Sequence, residues 1–235
     1  MNDRAKPRND FRLAVSVPDF AKAAVQLLRV NPMYDQPKLQ DACDREPNGF
    51  VVALTSMLQR GPTLCLPEST GQNAVYLASY GFDVLAIHID PIGLSSVSNL
   101  ARERGVQLAA EQVDMSEFDM GEDQFTNVVS VFCHLPSRQR RRAHAGIVRA
   151  LKPGGMFLLE AFRPEQLKYQ SGGPRQLDQL MERDDVVAEL EGLEMLRVGR
   201  VVRRFGEGNE QDACGAVLEI LARKPLVHHP RGAVN

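Results

Sequence analysis

Four stretches of this chain gather residue types that could do chemistry. His88-Ile89-Asp90 closes the apolar run Asp83–Ile89, and Cys133-His134 follows the run Phe125–Phe132. Glu160-Ala161-Phe162 closes Met156–Phe162, and Pro67-Glu68-Ser69-Thr70-Gly71 joins a short buried run to a helical one. Strand alternation puts His88 and Asp90 on one face, but a metal site needs further ligands and no third is evident, so no metal is expected. A Cys–His pair could make a thiolate nucleophile, yet neighbours on a regular strand point to opposite faces, so Cys133 and His134 are not expected to share a cleft. His134 is read as a pocket residue that orients a substrate or takes its proton; the alternative is that the segment only shapes its loop. Glu160 near a strand end could hold a substrate, with Phe162 and Tyr169 as walls, or it could be a solvated carboxylate beside ordinary packing. The Pro67–Gly71 stretch reads equally as a ligand-binding turn or as a plain loop in which Ser69 or Thr70 caps the next helix. A helix N-terminus attracts anions in either case.

The elements that must position these residues alternate. Helical spacing runs over Pro18–Leu28, Phe50–Leu58, Asn73–Tyr80, Pro91–Arg104, Ser137–Leu151 and Leu177–Leu190. Strand-like runs cover Thr63–Leu66, Asp83–Ile89, Val106–Val113, Phe125–Phe132 and Met156–Phe162, with two long ones at Glu194–Arg204 and Ala213–Ala222. Gly61-Pro62, Gly81, Gly105 and Pro153-Gly154-Gly155 punctuate them. Alternating strands and helices predict an α/β fold with a mostly parallel seven-stranded sheet and helices on both faces. The last two strands have no helix between them and should form an antiparallel hairpin at the C-terminal edge. Ligands of such sheets bind beyond the carboxyl ends of the strands, so the loops after Leu66, Ile87, Val113, Phe132 and Phe162 are those that matter. Residues 1–46 read as a helical and loop extension, residues 47–226 as the domain, and residues 227–235 as a tail.

Composition narrows the function. The 235 residues carry a net charge of -2, with 43% hydrophobic and 25% charged residues, which suits one globular domain. Neither nucleic acid nor a membrane is expected as a partner: the charge is near neutral, and no run reaches the ~20 apolar residues of a spanning helix. Arg138, Arg140, Arg141, Arg142 and Arg149 lie on one helix but lack interleaved aromatic residues, so they read as a solvated face. Cys43, Cys65, Cys133 and Cys214 have no CxxC spacing and fit buried thiols in a reducing cytoplasm.

The loops after the strands also carry a family resemblance. The segments are Gly71-Gln72-Asn73-Ala74-Val75-Tyr76-Leu77-Ala78, Gly81-Phe82-Asp83-Val84, Asp90-Pro91-Ile92-Gly93-Leu94 and Val113-Asp114-Met115. Phe132-Cys133-His134-Leu135-Pro136, Leu151-Lys152-Pro153-Gly154-Gly155, Glu160-Ala161-Phe162, Tyr169 and Gly172-Gly173-Pro174 continue the series. From about Phe50 to Pro225 the chain resembles the class I S-adenosylmethionine (SAM)-dependent methyltransferases, closest to the small bacterial group that includes the tellurite-resistance enzymes. The resemblance implies a Rossmann-like fold, SAM as cofactor and a small-molecule methyl acceptor. It implies a cofactor site at Ser69, Gly71, Asn73, His88, Asp90, Asp114 and Met115, a substrate site at Cys133, Glu160, Phe162 and Tyr169, and His134 as the catalytic group. Gly172-Gly173-Pro174 would be a flexible loop beside the pocket.

The departures from the family fall on the cofactor side. Where the family has an acid and a Gly-x-Gly-x-Gly turn, this chain has Cys65, Pro67, Ser69 and Gly71. Proline removes an N–H and fixes φ, and serine adds a Cβ. Where an acid normally grips both ribose hydroxyls stands His88, which can accept one hydrogen bond when neutral; Asp90 is the candidate substitute. Two function classes follow: a SAM-dependent methyltransferase with a divergent site, or a catalytically inactive relative that binds or regulates, or uses the pocket for another ligand. The N-terminal extension reads as a lid, a homodimer arm or a surface for a protein partner.

Overall fold

The computed structural model describes residues 46–68, 70–169, 171–204 and 214–226. The helix expected over Pro18–Leu28 and the tail lie outside them, as do Cys43 and Ser69. The elements are α1 (Gly49–Leu54), β1 (Pro62–Cys65), α2 (Gln72–Ser79), β2 (Asp83–His88), α3 (Pro91–Arg104), β3 (Ala109–Gln112) and β4 (Phe125–Val131). They continue with α4 (Ser137–Ala150), β5 (Leu151–Phe162), α5 (Arg183–Glu189), β6 (Glu194–Arg204) and β7 (Cys214–Arg223). The seven strands form one sheet in the order β3-β2-β1-β4-β5-β7-β6. β1 to β5 pair in parallel, and β7 lies antiparallel between β5 and β6. The expected edge hairpin is present, with β7 as its inner strand.

Alternation along the strands divides the core between the two faces. Leu64, Val128, Phe157 and Leu159 turn to the face covered by α4 and α5. Cys65, Val129 and Leu158 turn to the face covered by α1, α2 and α3. Each large apolar side chain buried this way contributes roughly 1.5–3 kcal/mol. Order reverses between β1 and β4: the chain runs outward from β1 to β3, then returns to the other side of β1. That reversal opens the crevice in which ligands of open α/β sheets bind.

Two elements differ from the expectation. The helix expected over Leu177–Leu190 is a short 3-10 turn at Leu177–Gln179 followed by α5. Leu180 and Met181 run extended between them and are buried, and Met181 N–H donates to the Phe162 carbonyl at 2.9 Å. Tertiary burial of two apolar residues has overridden local helical propensity. The third strand is shorter than Val106–Val113, because only Ala109–Gln112 pairs with β2. Among the described residues no helix is long and apolar enough to cross a membrane, and no cluster of three or more ligating residues could hold a metal ion.

Candidate functional site

The reversal between β1 and β4 opens into a pocket of about 360 Å³, within the range of small-molecule sites. One wall is Pro67 and Glu68 after β1, with His88 and Asp90 after β2; the other is Phe132, Cys133, His134 and Leu135 after β4.

The first wall is built from helix caps. Glu68 turns its carboxylate back onto α2, where Oε1 accepts from the backbone N–H of Asn73 and of Ala74, each at 3.1 Å. The Asn73 amide donates to Oε2. The helix-capping role that either Ser69 or Thr70 could have filled thus belongs to Glu68, and the anion site at the α2 N-terminus is filled by the chain's own carboxylate. Burial pushes this carboxyl up to about 7, against the three donors that favour its charge. Asp90 caps α3 in the same way, Oδ1 accepting from Ile92 N–H at 2.9 Å and Gly93 N–H at 2.8 Å. His88 is buried with Nε2 unpartnered among the described residues, and burial holds its imidazole below the ordinary value while Asp90 opposes that shift. Gly93 makes room for the ring, since a Cβ there would lie 2.6 Å from Nδ1.

The second wall begins with a backbone irregularity. β4 ends at Val131, and Phe132 adopts φ +52°, a left-handed value that a bulky residue rarely takes. The strand alternation expected to separate Cys133 from His134 is broken there, and both line the pocket. They still make no nucleophilic pair, because burial pushes the Cys133 thiol up to about 12. His134 stacks on Phe162 with centroids 5.4 Å apart, and Phe162 stacks on Phe132 at 4.7 Å. Nδ1 of His134 lies 3.1 Å from the Gln179 carbonyl oxygen. A carbonyl only accepts, so Nδ1 carries the proton. Burial lowers the ring to about 4, so it is neutral near pH 7 and Nε2 is bare, buried and unpartnered among the described residues.

Residues 64–155 match the family model of a methyltransferase domain. The chain has the class I methyltransferase fold. TehB from Haemophilus influenzae is 16% identical with a TM-score of 0.63, the match covering 75% of this chain and 62% of TehB. A SAM-dependent methyltransferase from Methanosarcina mazei is 20% identical with a TM-score of 0.59, covering 74% of this chain and 97% of that one. The [4+2]-cyclase SpnF is 18% identical with a TM-score of 0.62, covering 88% and 93%. No curated protein sequence matches the chain.

In this methyltransferase fold the residues singled out from the sequence divide into two groups. His88, Asp90, Cys133 and His134 meet at the pocket. Gly71 has φ +78° and no room for a Cβ, which would sit 2.4 Å from a Val97 methyl; it packs α2 onto α3. Asp114 is exposed and closes its own turn, accepting from Ser116 N–H and Oγ at 2.8 and 2.7 Å, and Met115 is in the core. Tyr169 is not among the pocket's lining residues. Gly172 and Gly173 are tied down: Gln166 donates to the Gly172 carbonyl at 3.0 Å, and Gly173 abuts the Phe162 ring.

Glu160 is fully buried rather than solvated. Asn48 Nδ2 donates to its Oε1 at 3.0 Å, and Arg203 reaches its Oε2 at 2.7 Å and Glu219 at 2.8 Å. Asn48 N–H also donates to Asn73 Oδ1 at 2.7 Å, so one polar chain runs from β5 to Glu68. Burial leads the causes that push Glu160 up to about 7, Arg203 opposing and Glu219 adding to it. Sequence reasoning missed Asn48 and the capping role of Glu68; an acid just before a helix was the available signal. It also placed Arg140 on a solvated face, whereas Arg140 is buried and bonded to Glu189. Its place three residues into an amphipathic helix gave no hint of that, because the partner lies 49 residues away.

Proposed function

We propose that the chain is a SAM-dependent methyltransferase acting on a small-molecule acceptor, with a cofactor pocket rebuilt around carboxylates. The observation that supports this most is the charge of the pocket. Among the described residues its ionisable lining side chains are Glu68, His88, Asp90, Cys133 and His134, with no lysine or arginine. That lining suits a ligand carrying positive charge, as the sulfonium and ammonium of SAM do, and disfavours phosphate-bearing cofactors, which need cationic partners. The fit is to the cationic part of SAM. Glu68 would hold a cation, Asp90 would meet a ribose hydroxyl, and His88 offers one ring nitrogen where two carboxylate oxygens are usual. SAM supplies an activated methyl group whose transfer is an in-line displacement, so alignment matters more than acid–base help. Bare Nε2 of His134 orients the acceptor or takes its proton, and the Phe132–Phe162 stack keeps water away.

A second reading has its own observation. The N–H groups of Asn73 and Ala74 at the start of α2 are already taken by Glu68, whose charge disfavours an anionic ligand group there. This fits a fold kept for binding or for other chemistry, and a [4+2]-cyclase already shares the fold. Thermal stabilisation by SAM, measured on the purified chain and on the double variant Pro67→Gly, His88→Asp, separates the two. A restored carboxylate should tighten SAM binding about tenfold, the worth of one charge-assisted hydrogen bond. A folded double variant that SAM stabilises no more than the parent chain would remove the ribose assignment.

A further inference from the structure

A buried ion cluster lies between α4 and α5, away from the pocket. Arg140 Nε and Nη2 grip the Glu189 carboxylate at 2.8–3.2 Å, and His144 Nδ1 lies 2.7 Å from its Oε2. The Arg140 and Glu189 side chains are 5% and 7% exposed. Burying such charges costs several kcal/mol per ion, and an apolar contact of similar volume is often as stable, so the cluster invites an explanation beyond packing.

The remaining nitrogen of the fork points to one. Arg140 Nη1 faces the carbonyls of Asp178 and Leu180, both at 3.4 Å. The carbonyl between them, that of Gln179, is the one that meets His134 Nδ1. Three successive carbonyls are thus shared between one guanidinium and one imidazole. The same turn is pinned at its other edges, Asp178 accepting from Ser137 N–H at 3.1 Å and Met181 donating to Phe162. A planar fork can hold a carboxylate with one edge and backbone oxygens with the other, which an ammonium cannot do in one geometry.

We propose that Arg140, braced by Glu189, is a positioning residue for His134: it fixes the Asp178–Leu180 turn so that the Gln179 carbonyl keeps the proton on Nδ1 and leaves Nε2 bare toward the acceptor. Its functional meaning rests on the role given to His134 above; the structural relay does not. A partner that fixes which ring nitrogen carries the proton is a general way to set the reactivity of the other.

The test needs no ligand. In the full chain labelled with ¹⁵N-histidine, the ring signals of His134 are assigned by their loss in His134→Gln and should show a protonated Nδ1 and a bare Nε2 at pH 7. Arg140→Lys keeps the charge against Glu189 but loses the fork. Arg140→Met with Glu189→Gln removes both charges and guards against misfolding. In each, the His134 tautomer ratio should move roughly five- to tenfold toward protonated Nε2, the worth of one hydrogen bond. A folded double variant with the parent His134 pattern, or a parent chain already protonated on Nε2, overturns the relay. A separate SAM titration reads the functional assignment, so the two can fail independently.

Discussion

The two walls of the pocket use most of their polar groups in opposite ways, His88 on the first being the exception with its Nε2 unpartnered among the described residues. On the wall after β1 and β2, Glu68 and Asp90 spend oxygens on the N–H groups of their own helices, and Cys65 is sealed in the core. On the wall after β4, a distant guanidinium holds the turn that meets one face of His134, and the other ring nitrogen is left open. Groups satisfied within the chain stabilise the fold, and a capping carboxylate on the pocket wall keeps lone pairs with which to meet a cation; a buried group left without a partner can serve a ligand only. On the first wall α2 and α3 are capped from within, by carboxylates of the loops that precede them.

The largest expected effect would break the second wall. Arg140→Met alone leaves the Glu189 charge buried without its fork and should cost about 3–5 kcal/mol in urea unfolding; adding Glu189→Gln should recover most of it. Equal losses for single and double variants would show that the cluster is ordinary packing. The Glu189 carboxyl, driven down to about 2 by His144 and Arg140 against burial, contributes stability that is present above its unfolded value and lost as pH falls from about 4.5 toward 2.

The first wall answers next. Gly71→Ala drives a Cβ into Val97 at positive φ and should cost about 3 kcal/mol, from overpacking and left-handed strain together. Gly105→Ala, with φ +64° and open space around it, should cost about 1 kcal/mol. If the two cost the same, the α2–α3 contact is not what retains Gly71.

A smaller effect sharpens the comparison through pH. The folded Glu68 carboxyl titrates near 7, above its unfolded value near 4.5, so between these the folded state binds the more protons. Glu68 therefore contributes stability that falls as pH rises through that window. Stability curves of the parent chain and Glu68→Gln should diverge there, the variant losing less on the way up; parallel curves would refute the shift. Glu160 has the same sign, and Glu160→Gln should show its own divergence.

Much of this architecture was legible in advance. Strand runs and glycine or proline stops located the sheet, because burial on both faces writes near-continuous apolar segments. The order of the loop motifs carried the fold, and the loops it marked after β2 and β4 are those that line the pocket with His88, Asp90, Cys133 and His134. What stayed hidden depends on long-range contacts. Arg140 finds Glu189 49 residues away, and Asn48 finds Glu160 across 112. Phe132 at positive φ broke the alternation that separates Cys133 from His134, and no local signal marks a bulky residue for that conformation. The 3-10 turn at Leu177–Gln179 hid inside a helical pattern because Leu180 and Met181 serve the core in an extended chain.

The most direct test is a calorimetric titration of the chain and of Glu68→Gln with SAM and S-adenosylhomocysteine. A carboxylate-lined pocket that takes SAM as a cation predicts micromolar binding to the parent chain, tighter for SAM than for the neutral sulfide, with that preference reduced in Glu68→Gln. A folded parent chain that gives no heat with SAM, or a preference untouched by Glu68→Gln, would contradict it.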